Sequence, residues 1–178
     1  MSTIRVPAAL ALFALLAGCG GALDAIGLRK GAELADAYKP PRTVPVKLHA
    51  ASRLNLDSRG QPLALAVRVY SLRHKAAFEQ APYAAFLDPQ AERASLGADL
   101  VEVREVMLVP GQRYEIAEKV SREASHVGIV ALFHRPAGGR WRAAFSVLDA
   151  ERDGITLGLH ACALTVGAAT TLASVRCQ

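Results

Sequence analysis

The sequence predicts a mainly β protein, a two-sheet β-sandwich with a short helical insert between its second and third strands. Three observations carry this expectation. From Val46 onward, short strand-like runs are separated by turn residues at intervals of about 8–12 residues. One of them, Val127–Phe133 (VGIVALF), is apolar throughout, as a central strand buried on both faces requires. Between the second and third runs, about residues 74–97, the composition turns helical around Pro82 and Pro89.

Ahead of the sandwich the chain reads as a lipoprotein leader and a tether. Met1–Arg5 carries one positive charge, and Val6–Leu16 is free of charge and apolar. That run is too short to cross a bilayer, which takes about 20 residues of helix, and has the layout of a secretory signal. It ends on Leu16-Ala17-Gly18-Cys19, a lipobox. Small residues admit the extended backbone to the processing peptidase, and the cysteine thiol receives diacylglycerol as a thioether. Residues 1–18 are therefore expected to be a lipoprotein signal peptide, and Cys19 the lipid-attachment site. Each buried CH₂ contributes about 0.8 kcal/mol, so the acyl chains (palmitate among them) of a mature bacterial lipoprotein make a lasting anchor. Gly20 follows the cysteine where Asp would signal retention in the inner membrane, which favours the outer membrane with the domain in the periplasm. Residues 19–45 form the lipidated N-terminus and tether, since Pro40-Pro41 and Pro45 rule out a continuous helix.

Residues 46–178 are the expected sandwich domain. Val46–Ala51 and Leu63–Leu72 form a first strand pair, joined by the polar connector Asn55–Gln61. His74–Ala81 and Asp88–Leu96 are helical, with Phe78, Tyr83, Phe86 and Leu87 on an apolar side that must pack on a sheet. Strands resume at Leu100–Val109, where Val101, Val103 and Met107 alternate with Glu102 and Arg104. Pro110-Gly111 turns the chain into Arg113–Val120, with Tyr114 and Ile116 on one face. After Val127–Phe133, a Gly/Pro turn leads to Arg140–Leu148, where Trp141, Ala143, Phe145 and Val147 share a face. Ile155–Val166 and Thr170–Cys177 close the domain as a hairpin.

Composition narrows the function. Without the leader, 20 of the 21 Lys and Arg remain against 16 Asp and Glu, and the basic residues are scattered. No nucleic-acid site is expected. With Cys19 lipidated, Cys162 and Cys177 are an even pair in an oxidising compartment, which points to a disulfide; a reduced pair is the alternative. His160-x-Cys162 places two potential ligands on one strand face, short of the three or four that zinc needs, so no metal is expected. There is no G-x-S-x-G, no glycine-rich phosphate loop and no H-x-x-x-H helix. Glu102, Glu105, Glu115 and Glu118, alternating with Arg and Lys, read as a solvated strand face rather than an acid–base pair. No catalytic residue and no cofactor beyond the covalent lipid are expected.

An ordered set of residues resembles a known family. Val67-Arg68-Val69-Tyr70-Ser71-Leu72, Phe78 within the insert, Leu96-Gly97-Ala98-Asp99-Leu100, Glu105 through Val109-Pro110-Gly111, Val127–Phe133 and Trp141-Arg142 together are similar to the outer-membrane lipoprotein of type VI secretion systems, the TssJ family. The resemblance spans most of residues 45–166. It implies a transthyretin-like sandwich that is not an enzyme. It also implies a partner, the periplasmic C-terminal region of the large TssM-type inner-membrane protein. Contact through the connector is implied too, here Asn55, Leu56, Asp57, Ser58, Arg59, Gly60 and Gln61, with Asp57 and Arg59 as rim charges. The plain alternative for this segment is a solvated connector. The two C-terminal cysteines match nothing in the family pattern. A ligand-carrying periplasmic lipoprotein is the competing reading, and it needs a pocket lined with aromatics.

Overall fold

A computed structural model describes residues 39–167 and Cys177. The expected signal peptide, Cys19, the tether up to residue 38 and the segment 168–176 lie outside the described residues.

The described strands are β1 (Arg42–Ala50), β2 (Leu65–Leu72), β3 (Leu100–Leu108), β4 (Arg113–Val120), β5 (His126–Ala131), β6 (Arg142–Ser146), β7 (Ile155–Leu159) and β8 (Leu164–Val166). They form two four-stranded sheets, the first in the order β4-β1-β7-β8 and the second in the order β3-β2-β5-β6. Helices α1 (Ala76–Gln80) and α2 (Pro89–Leu96), with a 3₁₀ turn at Tyr83–Leu87 between them, make the insert between β2 and β3. A third helix, α3 (Val147–Asp153), leads from β6 to β7.

Side-chain alternation sets the core. Val44, Val46, Leu48 and Ala50 of β1 and Ile155, Leu157 and Leu159 of β7 are buried, as are Leu65, Val67 and Val69 of β2 and Val127, Ile129 and Ala131 of β5. These are every second residue along each strand, the inner faces of the two sheets. Each fully buried aliphatic side chain contributes roughly 1.5–3 kcal/mol.

Several elements differ from the sequence expectation. The strands on either side of the Asn55–Gln61 connector do not pair: β1 lies between β4 and β7, and β2 between β3 and β5 in the other sheet. The connector is an inter-sheet crossing, which its length allows, since facing sheets stand about 10 Å apart. β1 begins at Arg42 and takes Pro45 into the strand. Pro45 is tolerated because pairing with β7 starts only at Val46, opposite Ile155. In β3 the inward residues are Val106 and Leu108, opposite Val67 and Leu65, while Val103 and Met107 face outward and are exposed. Ile155–Val166, expected as one strand, is two: β7 and β8 pair across a turn at residues 160–163, and the expected partner strand Thr170–Cys177 lies, but for Cys177, outside the described residues.

β6 stops at Ser146, and Val147–Asp153 is helix rather than strand. Ser146 at the N-cap with Asp149 three residues on, and Gly154 at φ 71° beyond the end, were the available signals, masked by the apolar Val147-Leu148.

Candidate functional site

β1 and β7 end, and β4 and β8 begin, at one pole of the first sheet, and the connector is built there. Leu54 is fully buried. Asn55 adopts φ 46°, a left-handed conformation that Asn tolerates better than most residues. Its buried side chain is satisfied on both sides. Nδ2 donates to the Ala64 carbonyl at 2.7 Å, and Oδ1 accepts from the His134 N–H at 2.6 Å. The Asn55 and Leu56 N–H groups donate to the His160 and Ala161 carbonyls at 3.0 and 2.9 Å. The connector thus rests on the β7–β8 turn.

Beyond this anchor the chain closes on itself. Leu56 bridges to Pro62, and the Asp57 carboxylate accepts from the Arg59 and Gln61 N–H groups, each at 2.8 Å. Those bonds, the one from Gln61 foremost, hold the Asp57 carboxyl below its ordinary value. Ser58, Arg59, Gly60 and Gln61 are exposed. The seven residues therefore divide. Asn55 is an internal anchor, Leu56 and Asp57 shape the turn, and Ser58–Gln61 form its presented tip.

The turn beneath is itself tied down. Cys162 is bonded to Cys177, with an S–S distance of 2.06 Å. Cys162 packs with Ala137 and Ala163, and its carbonyl accepts from the Ala137 N–H at 2.8 Å. Three loops meet here: the connector, the 134–140 segment and the β7–β8 turn. His160 Nε2 lies 3.1 Å from Thr165 Oγ1, and burial lowers the pKa of its imidazole. The described residues hold no group of three or more His, Cys, Asp or Glu placed to bind a metal, and no helix among them is long and apolar enough to cross a membrane.

The second sheet's outer face is covered. Phe78, Phe86 and Tyr70 pack with centroids 5.5–5.9 Å apart, and Trp141 adds contacts to Phe86 at 5.4 Å and Tyr83 at 4.9 Å. Gly128 makes room for Phe78, since a Cβ there would come within 2.8 Å of the ring. Tyr83 donates to the Phe133 carbonyl at 2.6 Å, and burial pushes its pKa up to about 12.

Glu92 of α2 is buried and receives the Tyr70 hydroxyl together with Arg68 Nη1 at 3.2 Å. Burial, and then the bond to Glu92, push the Tyr70 phenol well above its ordinary value. Arg142 stacks over Trp141 at 4.5 Å and donates to the carbonyls of Phe78, Glu79 and Ala81 at the end of α1. Sequence reading missed this cluster, because Glu92 meets Arg68 and Tyr70 and Arg142 meets the end of α1 across long stretches of chain. It also missed Glu118, which is buried rather than solvated. Glu118 lies two residues past Ile116, so alternation turns it inward with Tyr114 and Ile116 toward Arg104, at 3.4 Å. Burial raises its pKa.

A family model described as "Type VI secretion lipoprotein" (VasD, EvfM, TssJ) matches residues 42–162. The chain belongs to this family. Among solved structures, the type VI lipoprotein TssJ1 from Pseudomonas aeruginosa is 31% identical, with a TM-score of 0.62 over 74% of this chain and 99% of that one. Two more distant likenesses show the fold. One is a chain in the structure of the type VI protein TssM C-terminal domain from EAEC (23% identity, TM-score 0.61, 72% of this chain and 99% of that one). The other is a chain of a type VI membrane complex (24% identity, TM-score 0.65, 72% and 99%). The curated proteins contain no match. Within this family of type VI secretion lipoproteins, the two-sheet fold and the helical insert are as the sequence predicts, and the pairing of β1 with β2 is not.

Proposed function

We propose that the chain is an outer-membrane-anchored scaffold of the type VI membrane complex. In this reading the lipid on Cys19 holds one end in the membrane. The sandwich stands in the periplasm and binds the periplasmic C-terminal region of the large TssM-type inner-membrane protein. The action is binding, not turnover.

One observation supports it most: the connector is an exposed four-residue tip on a fixed base. Asn55, the β7–β8 turn and the Cys162–Cys177 bond immobilise that base, so little ordering is lost when Ser58–Gln61 meets a partner. The relatives' own settings, a TssM C-terminal domain and a membrane complex, point to the same partner. The ligand-carrier alternative is weakened because Tyr70, Phe78, Tyr83, Phe86 and Trp141 pack on one another beneath the insert.

The test is binding of residues 20–178 to the TssM-type C-terminal region of the same bacterium, with wild type and with Ser58–Gln61 replaced by Gly/Ser. Saturable binding that the replacement weakens tenfold, about 1.4 kcal/mol, supports role and tip together. Loss-free replacement moves the contact elsewhere on the domain. Absence of binding between two folded proteins at high micromolar concentration defeats the scaffold reading. Replacing Cys19 with Ser is expected to release the protein from the outer-membrane fraction, as fractionation would show.

A further inference from the structure

The strand register lines up a row of side chains on the outer face of the first sheet, at the connector pole. His49 of β1 stands opposite Arg113 of β4 on one side and Gly158 of β7 on the other, and Gly158 stands opposite Thr165 of β8. His160 folds back over the same spot and meets the Thr165 hydroxyl. These residues line a cleft of about 310 Å³. Gly158 is its floor. A Cβ there would come within 2.7 Å of Thr165 Oγ1 and 2.9 Å of His160 Nε2.

The cleft is one-sided in charge. Among the described residues it is lined by a guanidinium, two imidazoles and a hydroxyl, and by no carboxylate. Among the described residues, the Arg113 and His49 side chains have no hydrogen-bond or ion-pair partner. The nearest acid in register on this face, Glu115, is engaged by Lys47 at 3.8 Å. Several other arginines are used: Arg42 pairs with Glu151, Arg68 with Glu92 and Glu105, and Arg152 with Asp149 and Asp153, while Arg53, Arg93 and Arg140 do not line this cleft. An unpaired guanidinium beside an open pocket with hydroxyl and imidazole donors fits a carboxylate, which the planar fork can bind through two parallel N–H bonds.

We propose that this cleft receives an Asp or Glu side chain of the bound partner protein, with Arg113 as the charged clamp and His49, His160 and Thr165 as flanking polar contacts. The inference rests on the scaffold reading, because it takes its occupant from the partner docking at the same pole. It adds a second contact beside the Ser58–Gln61 tip. The tip offers backbone and polar side chains, and the cleft fixes orientation by charge.

The experiment measures affinity of the full chain in detergent for the TssM-type C-terminal region, with Arg113→Glu, His49→Ala and the control Lys47→Glu. Arg113→Glu is expected to weaken binding tenfold or more, and His49→Ala a few-fold. Lys47→Glu, a charge reversal on the same face outside the cleft, should change it by no more than about twofold. An Asp or Glu of the partner whose change to Arg restores binding to Arg113→Glu would identify the occupant. Arg113 is exposed and unpaired, so an unchanged thermal midpoint should accompany the loss. Equal losses for Arg113→Glu and Lys47→Glu would overturn the clamp in favour of general steering. Unchanged affinity for Arg113→Glu, while the Ser58–Gln61 replacement still weakens binding, would overturn the cleft and leave the scaffold. If the wild type itself does not bind, both fall.

Discussion

On the outer face of the second sheet, Arg68, Tyr70 and Arg142 reach into the helical insert, where a buried carboxylate and the last carbonyls of α1 absorb their donors. On the outer face of the first sheet, Arg113 and His49 stand beside a glycine floor with no internal partner among the described residues. In sequence both faces carry basic side chains at outward positions, Arg68 and Arg142 on one and His49 and Arg113 on the other. The first kind of charge holds the molecule together, and the second is left for something outside it. An arginine's role here depends on whether the fold brings it an acceptor.

Substitutions can sharpen that contrast. The largest effect is expected at Glu92. Changing it to Ala leaves the buried Tyr70 hydroxyl without its acceptor and Arg68 with only Glu105 and the Phe86 carbonyl, so the loss is expected at the low end of the about 3–5 kcal/mol that breaking a buried pair costs. Chemical denaturation should show this loss, whereas partner affinity per folded molecule stays near wild type. Equal damage from Arg113→Ala would erase the distinction between the two faces.

A smaller effect is expected from opening the disulfide by Cys177→Ser, which leaves the buried Cys162 packing in place. The bond closes a loop of sequence separation 15, worth about 3 kcal/mol in the chain-entropy model. Because the connector rests on the turn that carries Cys162, amide exchange of Asn55 and Leu56 should accelerate as well. Exchange unchanged at those two amides would separate the disulfide from the binding pole.

The smallest effect concerns Glu118, a charge that the fold satisfies only in part. Among the described residues its Oε2 has no hydrogen-bond partner, and Arg104 offsets its burial incompletely. Its folded pKa is raised, so the native state holds the proton more tightly than the unfolded chain. Stability therefore declines as pH rises through the unfolded carboxylate value toward the folded one. Glu118→Gln removes that slope, and its stability relative to wild type should improve as pH rises above about 4. A constant difference across that range would mean that Glu118 titrates normally.

Much of the architecture was legible because alternation is a local signal. Arg113–Val120 is a strand over the range expected, and the insert falls where helical composition and Pro82 and Pro89 put it. The same signal misled at Val147-Leu148, where apolar residues continue a strand pattern although the backbone turns helical after Ser146. It also left Glu118 among surface acids, although counting by twos from Tyr114 and Ile116 turns it inward. Of the candidate site, the connector was legible as a polar interruption. Its division into the anchor Asn55 and the tip Ser58–Gln61 was not, because the anchor's partners are at Ala64, His134, His160 and Ala161.

The sequence by itself determined the strand-rich composition, the helical insert, the lipobox expectation and an even pair of cysteines. All of these rest on patterns within a few residues, or on a count. Tertiary structure alone decided that β1 and β2 belong to different sheets, that Glu92 is a buried acceptor, and that Arg113, His49 and His160 share a cleft. Those facts depend on register between strands far apart in the chain. A one-residue slip would turn every such side chain to the opposite face, and no local pattern fixes that pairing.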